Sequence, residues 1–133
     1  RAEVAEVFEP GDHATTYGGQ PLAASAARAV LAVMEAEDVP ARAVARGETL
    51  TAALVALPEI AVVRGLGLLV AAELEPGLAA PAVCAAALAE GLVINAVTPT
   101  ALRFAPSLLV SDEEIHEGVG RLAAAIATVK DAP

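Results

Sequence analysis

Residues 60–74 hold two apolar runs around a glycine-rich bend, and this pattern restricts the fold of the chain more than any other stretch. Ile60-Ala61-Val62-Val63-Arg64 leads into Gly65-Leu66-Gly67 and then Leu68-Leu69-Val70-Ala71-Ala72-Glu73-Leu74. The β-branched content of the first run and the bend between the two predict paired, antiparallel strands. Arg64-Gly65-Leu66-Gly67 also has the glycine spacing of a phosphate loop. No third glycine follows at dinucleotide spacing and no helix opens there, so a turn is the better reading.

The flanking segments read as helices and a second strand pair. Pro21 suits the first turn of a helix over 21–37, where Leu22, Ala26, Ala29, Val30, Val33 and Met34 recur at three- and four-residue spacing. Alanine on both of its faces predicts close packing against neighbours on two sides. Asp38-Val39-Pro40 breaks the pattern, because the residue before a proline avoids the helical region. A second helix is expected over 40–57, with Asp38 as its cap, Val44, Leu50, Leu54 and Leu57 inward, Gly47 weakening its middle and Pro58 ending it. Downstream, a turn at Glu75-Pro76-Gly77 precedes a helix over 79–90, stopped by Gly91. Leu92–Asn95 reads as a short strand, Thr98-Pro99-Thr100 as a turn and Ala101–Ala105 as the returning strand. Ser111-Asp112-Glu113-Glu114 matches a capping box, with Ser111 as the cap and Glu114 reaching back. Ile115, Val119, Leu122, Ala123 and Ile126 form the inward stripe of the helix that follows. The expected fold class is α+β, a small, mostly antiparallel sheet with helices on one face.

Composition removes several classes of function. The 133 residues are 56% hydrophobic, with a mean hydropathy of +0.62, and much of that is alanine, which favours close helix packing. Aromatic residues make up 2% of the chain, too few for platforms that stack bases or sugars. Eight basic against seventeen acidic residues give a net charge of −9, and Lys130 is the only lysine. Neither a nucleic-acid surface nor an anionic membrane is a fitting partner. The single cysteine, Cys84, points to a reducing compartment, and no secretory leader or run of about twenty apolar residues is visible, so a cytoplasmic location is expected. Arg1 opens the chain without a methionine, which predicts the interior of a longer protein.

The polar groups concentrate in Gly11-Asp12-His13-Ala14-Thr15-Thr16-Tyr17-Gly18-Gly19-Gln20-Pro21. Glycines beside hydroxyls and free amides suit an anion such as a phosphate, while a surface loop between packed elements would have the same composition. Asp12 and His13 are adjacent, poor geometry for a catalytic pair, and no nucleophile accompanies them. In the second half the informative charge is Arg103, between Leu102 and Phe104. Its head group is either paired with one of the many acidic residues or turned toward a cleft, where its planar fork could hold a carboxylate. Cys84 reads as a small buried hydrophobe and His116 as a solvated helix residue. No set of metal ligands can be assembled around either.

Taken in order, these stretches resemble the class III, ornithine-type aminotransferases that use pyridoxal phosphate. The resemblance lies in Phe8-Glu9-Pro10-Gly11-Asp12-His13, Thr15-Thr16-Tyr17-Gly18-Gly19-Gln20-Pro21-Leu22-Ala23, Val63–Leu68, Leu102-Arg103-Phe104-Ala105-Pro106 and the Ser111–Glu117 helix start. It is greatest with the acetylornithine branch; Ala14, often glycine there, and Ser107, often proline, depart from the pattern. The resemblance implies that residues 1–37 end a large domain with the cofactor-phosphate loop and a connecting helix, and that 38–133 form the small C-terminal domain. It implies that Thr16 hydrogen-bonds the pyridoxal phosphate of the partner subunit in a homodimer, and that Arg103 holds the substrate α-carboxylate. The implied reaction moves an amino group between N-acetylornithine and 2-oxoglutarate, in arginine biosynthesis. Relatives act on ornithine, succinylornithine or 4-aminobutyrate, and a non-catalytic interaction module could keep the same small-domain fold. The family's cofactor-binding lysine has no match here, Lys130 included, so this chain by itself is expected to be inactive.

Overall fold

Gly67 and Leu68 form a two-residue turn, with Gly67 in the left-handed region at φ +54°, where a glycine is unstrained. The turn joins β1 (Ile60–Leu66) to β2 (Leu69–Leu74), paired antiparallel from Leu66 opposite Leu69 to Ile60 opposite Leu74. The bend is therefore shorter than the sequence suggested, and Gly65 and Leu66 belong to the strand. Gly65 faces Val70 across the ladder, and a Cβ there would come within 2.8 Å of the Val70 Cα. A β-bulge between Ile60 and Val62 interrupts the in–out alternation at the start of β1, so that Ile60 as well as Val63 packs with the core.

The computed structural model describes residues 2–9, 11, 12 and 15–131, which form two units, one up to Glu37 and one from Asp38 onward. In the first unit a single turn, α1 (Ala2–Ala5), precedes α2 (Pro21–Ala36). Pro21 opens α2 as expected, since its missing N–H is no loss in the first turn. None of the sixteen residues of α2 is buried, and Leu22, Val30, Leu31 and Val33 are exposed, so the apolar stripe read from the sequence has no cover within its own unit.

The second unit adds α3 (Val39–Val55), α4 (Ala80–Ala89), β3 (Asn95–Ala96), β4 (Ala101–Phe104) and α5 (Asp112–Lys130). The sheet order is β1-β2-β4-β3 and every pairing is antiparallel. Its inner face presents Ile60, Val70, Ala72, Leu74, Leu102 and Phe104 to Leu50 and Leu54 of α3, Val83 of α4, and Ile115, Leu122 and Ile126 of α5. The fold is α+β, with its helices against that one face.

Several local expectations shift. Asp38 occupies the cap position of α3 but adopts φ 45° and makes no side-chain cap bond, because a left-handed residue turns its carboxylate away from the first-turn amides. Val44 is 53% exposed, on the side of α3 away from the core that Leu50 and Leu54 enter. Ala125 rather than Ala123 completes the buried stripe of α5. The strand expected over 92–95 is only Asn95–Ala96. Gly91, at φ +77°, ends α4 in a Schellman motif, with Gly91 N–H donating to Leu88 O and Leu92 N–H to Ala87 O. Those bonds hold Leu92 at the helix end and delay sheet pairing. Arg121 of α5 clamps the same corner, its Nη1 donating to the Glu90 and Gly91 carbonyls at 3.2 Å each. The capping box at Ser111 forms as expected: Glu114 N–H donates to Ser111 Oγ at 3.2 Å and Ser111 N–H to Glu114 Oε2 at 2.8 Å.

Candidate functional site

Within the second unit, no helix among the described residues lies on the outer face of the sheet. With side chains alternating along each strand, one row across it reads Arg64, Ala71, Arg103 and Asn95. The next row places Val62, Glu73 and Ala101 side by side. Val62, Leu66 and Leu69 on this face are 53%, 87% and 60% exposed.

Arg103 is exposed at the centre of β4, flanked by small Ala71 on one side and by Asn95 on the other. Its Nε–H donates to Asn95 Oδ1 at 3.2 Å. Among the described residues no carboxylate pairs with it. The nearby acid on this face, Glu73, is engaged elsewhere: Thr100 Oγ1–H donates to its Oε1 and Arg64 Nη1 to its Oε2 at 3.2 Å. The face thus holds two guanidinium groups and one carboxylate, and Arg64 takes the carboxylate. Of the two readings open for Arg103, the structural ion pair does not form among the described residues, and the guanidinium stays exposed on the open face.

The Thr100 hydrogen bond is the main cause that holds the Glu73 carboxyl below its ordinary value; desolvation opposes it, and the hydrogen bond and charge of Arg64 add to the lowering. A carboxyl depressed on folding contributes stability above its unfolded pKa, near ~4.3, and that contribution is lost as the pH falls through the lower folded value. Glu73→Gln should therefore flatten the acid limb of stability. Between pH 7 and pH 3 the urea midpoint of the variant should fall less than that of the parent protein, and equal losses would show that the Thr100–Glu73–Arg64 clamp contributes nothing.

Thr16 lies in the first unit, in the loop that feeds α2. Its carbonyl accepts from Gln20 Nε2 at 3.0 Å, and Gln20 N–H donates to Tyr17 O at 3.3 Å, which folds residues 16–20 into a compact turn. Gly19 takes φ +77° in that turn, and a Cβ on Gly18 would collide with the Thr15 side chain. Thr16 is exposed, and among the described residues its hydroxyl has no hydrogen-bond partner. Asp12 closes its own turn by accepting from Glu9 N–H at 2.8 Å. His13 and Ala14, and Pro10 of the first motif, lie outside the described residues.

The other candidates resolve simply. Cys84 is half-buried against the core and burial pushes its thiol pKa up, the opposite of what a nucleophile needs. His116 is exposed, its Nδ1 2.7 Å from the Asp112 carbonyl one turn back. Lys130 Nζ donates to Glu59 Oε1 at 2.8 Å, and this bond raises the pKa of the lysine and lowers that of the glutamate. An apolar cavity of about 140 Å³ lies between α5, Leu92–Ile94 and Phe104–Pro106. Its one ionisable lining group, Glu114, is committed to the capping box. Among the described residues no helix is long and apolar enough to cross a membrane, and no three His, Cys, Asp or Glu side chains converge.

Sequence reasoning passed over Asn95 and Glu73. The signal for both was register: once β3 and β2 are laid antiparallel to β4, Asn95 stands opposite Arg103, and Glu73 one row away.

A helix-backed antiparallel sheet with an exposed arginine on its open face defines a small α+β domain. The chain belongs to the class-III aminotransferases, whose family model, "Aminotransferase class-III", matches residues 1–126. An acetylornithine aminotransferase of Bifidobacterium longum is 42% identical over 133 residues, covering 98% of this chain and 29% of that protein. Among solved structures, the N-acetylornithine aminotransferase of Stenotrophomonas maltophilia superposes with a TM-score of 0.78 at 34% identity, over 87% of this chain and 34% of the other. An ornithine aminotransferase of Toxoplasma gondii, with pyridoxal phosphate at partial occupancy in its active site, gives 0.79 at 30% identity, over 98% and 32%. The chain thus spans about a third of the length of the relatives it matches.

Proposed function

We propose that this chain is the C-terminal part of a pyridoxal-phosphate-dependent aminotransferase that moves an amino group between N-acetylornithine and 2-oxoglutarate. The observation that carries the reading is Arg103, an exposed guanidinium held at Nε by a neutral amide and without a carboxylate partner among the described residues. Both substrates present an α-carboxylate, and its two oxygens match the two free amino groups of such a fork. Residues 1–37 are the end of the large domain and 38–133 the small domain. The exposed aliphatic residues of α2 and of the open sheet face, Leu22, Val30, Leu66 and Leu69 among them, are covered by the rest of the enzyme.

Pyridoxal phosphate fits the loop before α2. The Thr16 hydroxyl is a donor without a partner among the described residues, set in a glycine-bearing turn at the start of a helix, where a phosphate is favoured. When bound, pyridoxal phosphate supplies the electron sink for amino-group transfer. Thr16 anchors its phosphate across the interface of a cytoplasmic homodimer, and Arg103 orients the substrate so that its amino or oxo carbon faces the cofactor. The lysine that binds the cofactor comes from the remaining two-thirds of the enzyme, since Lys130 is committed to Glu59.

In the full-length protein, Thr16→Val removes one hydrogen bond to a charged group, so cofactor affinity should weaken about 10–100-fold. Titration of the apoenzyme with pyridoxal phosphate measures it, and unchanged affinity would remove Thr16 from the site. Turnover with N-acetylornithine, ornithine, succinylornithine and 4-aminobutyrate as donors to 2-oxoglutarate fixes the substrate. Absence of transfer from all four would reject the reaction.

A further inference from the structure

We infer that Asn95 is the positioning residue for carboxylate recognition, and that it selects the edge of the Arg103 guanidinium on which a carboxylate is received. The inference rests on the reading of Arg103 as a carboxylate-binding group.

A guanidinium can hold a carboxylate side-on, through Nε and one Nη, or end-on, through both Nη groups. Nε–H of Arg103 is occupied by Asn95 Oδ1 at 3.2 Å. Nε can only donate, so the facing atom of Asn95 must be its carbonyl oxygen. With Nε taken, the side-on arrangement is closed and the two Nη groups remain. The neutrality of Asn95 matters as much as its geometry. An aspartate at the same place would also fix Nε, but its charge would neutralise Arg103 and compete with the incoming carboxylate. The other groups on this face do not compete, because Arg64 and Thr100 hold Glu73.

The backbone around Asn95 makes this contact reproducible. Asn95 is on the edge strand, opposite Arg103 in the β3–β4 register, while Ala96 faces Leu102. Four residues earlier the chain is fixed by the Schellman motif at Gly91 and by the Arg121 clamp on the Glu90 and Gly91 carbonyls. A one-residue slip of β3 would turn Asn95 to the core side, so α4 and α5 together set which group meets Nε.

The test uses the full-length holoenzyme and glutarate, the unreactive skeleton of 2-oxoglutarate, so it does not depend on which amino donor is native. Asn95→Ala should weaken glutarate binding about tenfold and raise KM for 2-oxoglutarate to the same extent, with kcat changing less than twofold, the loss of one oriented hydrogen bond. Asn95→Asp, close in shape, should weaken glutarate about 100-fold at neutral pH, as expected when a carboxylate neutralises the binding cation. If Asn95→Ala fails to fold, the isosteric Asp variant carries the test alone. Asn95 variants that bind glutarate like the parent enzyme, while Arg103→Ala weakens it, would overturn the inference and leave Arg103 in place. Arg103→Ala with unchanged glutarate affinity would overturn the carboxylate reading and the inference with it.

Discussion

Replacing Arg103 by alanine in the full-length enzyme is expected to raise KM for amino donor and oxo acid together and to lower kcat/KM by about 100-fold or more. Truncating one partner of a hydrogen-bonded charge pair costs about 2–5 kcal/mol, and each 1.4 kcal/mol is a factor of ten. On the proposed function both substrates suffer, because each would present its α-carboxylate to this one side chain. Arg103→Lys keeps the charge but not the planar fork and should recover only part of the loss. Arg64→Ala is the comparison: Arg64 lies in the same row of the open face with its guanidinium committed to Glu73, and because Thr100 still holds Glu73 its loss should raise KM far less than that of Arg103. Folding should be little affected by either change, because both side chains are exposed. The readout is steady-state kinetics with each substrate varied in turn. A rise in KM for one substrate only would mean that the two carboxylates use different sites, and no rise for either would remove Arg103 from recognition.

The order of elements was legible because its signals are local. Pro21, Pro58, Gly91 and the Ser111 capping box each fix a boundary within a few residues of themselves, and each boundary falls within two residues of its expected place. The pairing of β1 with β2 could be read for the same reason, through the short turn between them. What escaped the sequence depends on register or on distant contacts. Asn95 read as the end of a strand, and only the offset imposed by the Schellman motif makes it the start of one, opposite Arg103. Glu73 read as one charge among many, until Arg64 of β1 and Thr100 of the turn before β4 converged on it. The apolar stripe of α2 was also plain in the sequence, but hydrophobic periodicity says which face seeks cover and nothing about what supplies it. The polar loop before α2 was the reverse case: its composition suggested an anion, yet the same composition fits any surface turn.

Gly47 illustrates how a weak helix signal can record a packing requirement, and two glycine substitutions of opposite sign should expose it. On propensity alone, alanine at a helix-interior glycine stabilises by about 1 kcal/mol. Gly120 of α5 should follow that rule, since a Cβ there meets nothing within 4 Å. Gly47 of α3 should break it. A Cβ at 47 would lie 2.6 Å from the carbonyl carbon of Gly67 and closer still to its oxygen. Those atoms are backbone at the tip of the two-residue hairpin turn and cannot rotate aside as a side chain would, so either the helix or the turn must move. Overpacking of this kind costs about 1–3 kcal/mol per small insertion. Gly47→Ala should thus lose stability despite its better propensity, and Gly47→Val, with two further methyl groups, should lose about 3 kcal/mol or more. Urea denaturation of the full-length enzyme measures all three, and a gain in Gly47→Ala equal to that in Gly120→Ala would show that helix and turn are not in contact. The displacement should also reach the site. The turn sets the position of β2, β2 carries Ala71 beside Arg103, and a hairpin pushed away from α3 moves the row that holds Arg103, the proposed carboxylate contact. Gly47→Val should therefore raise KM for both substrates even under conditions where the protein remains folded, an effect that Gly120→Ala should lack.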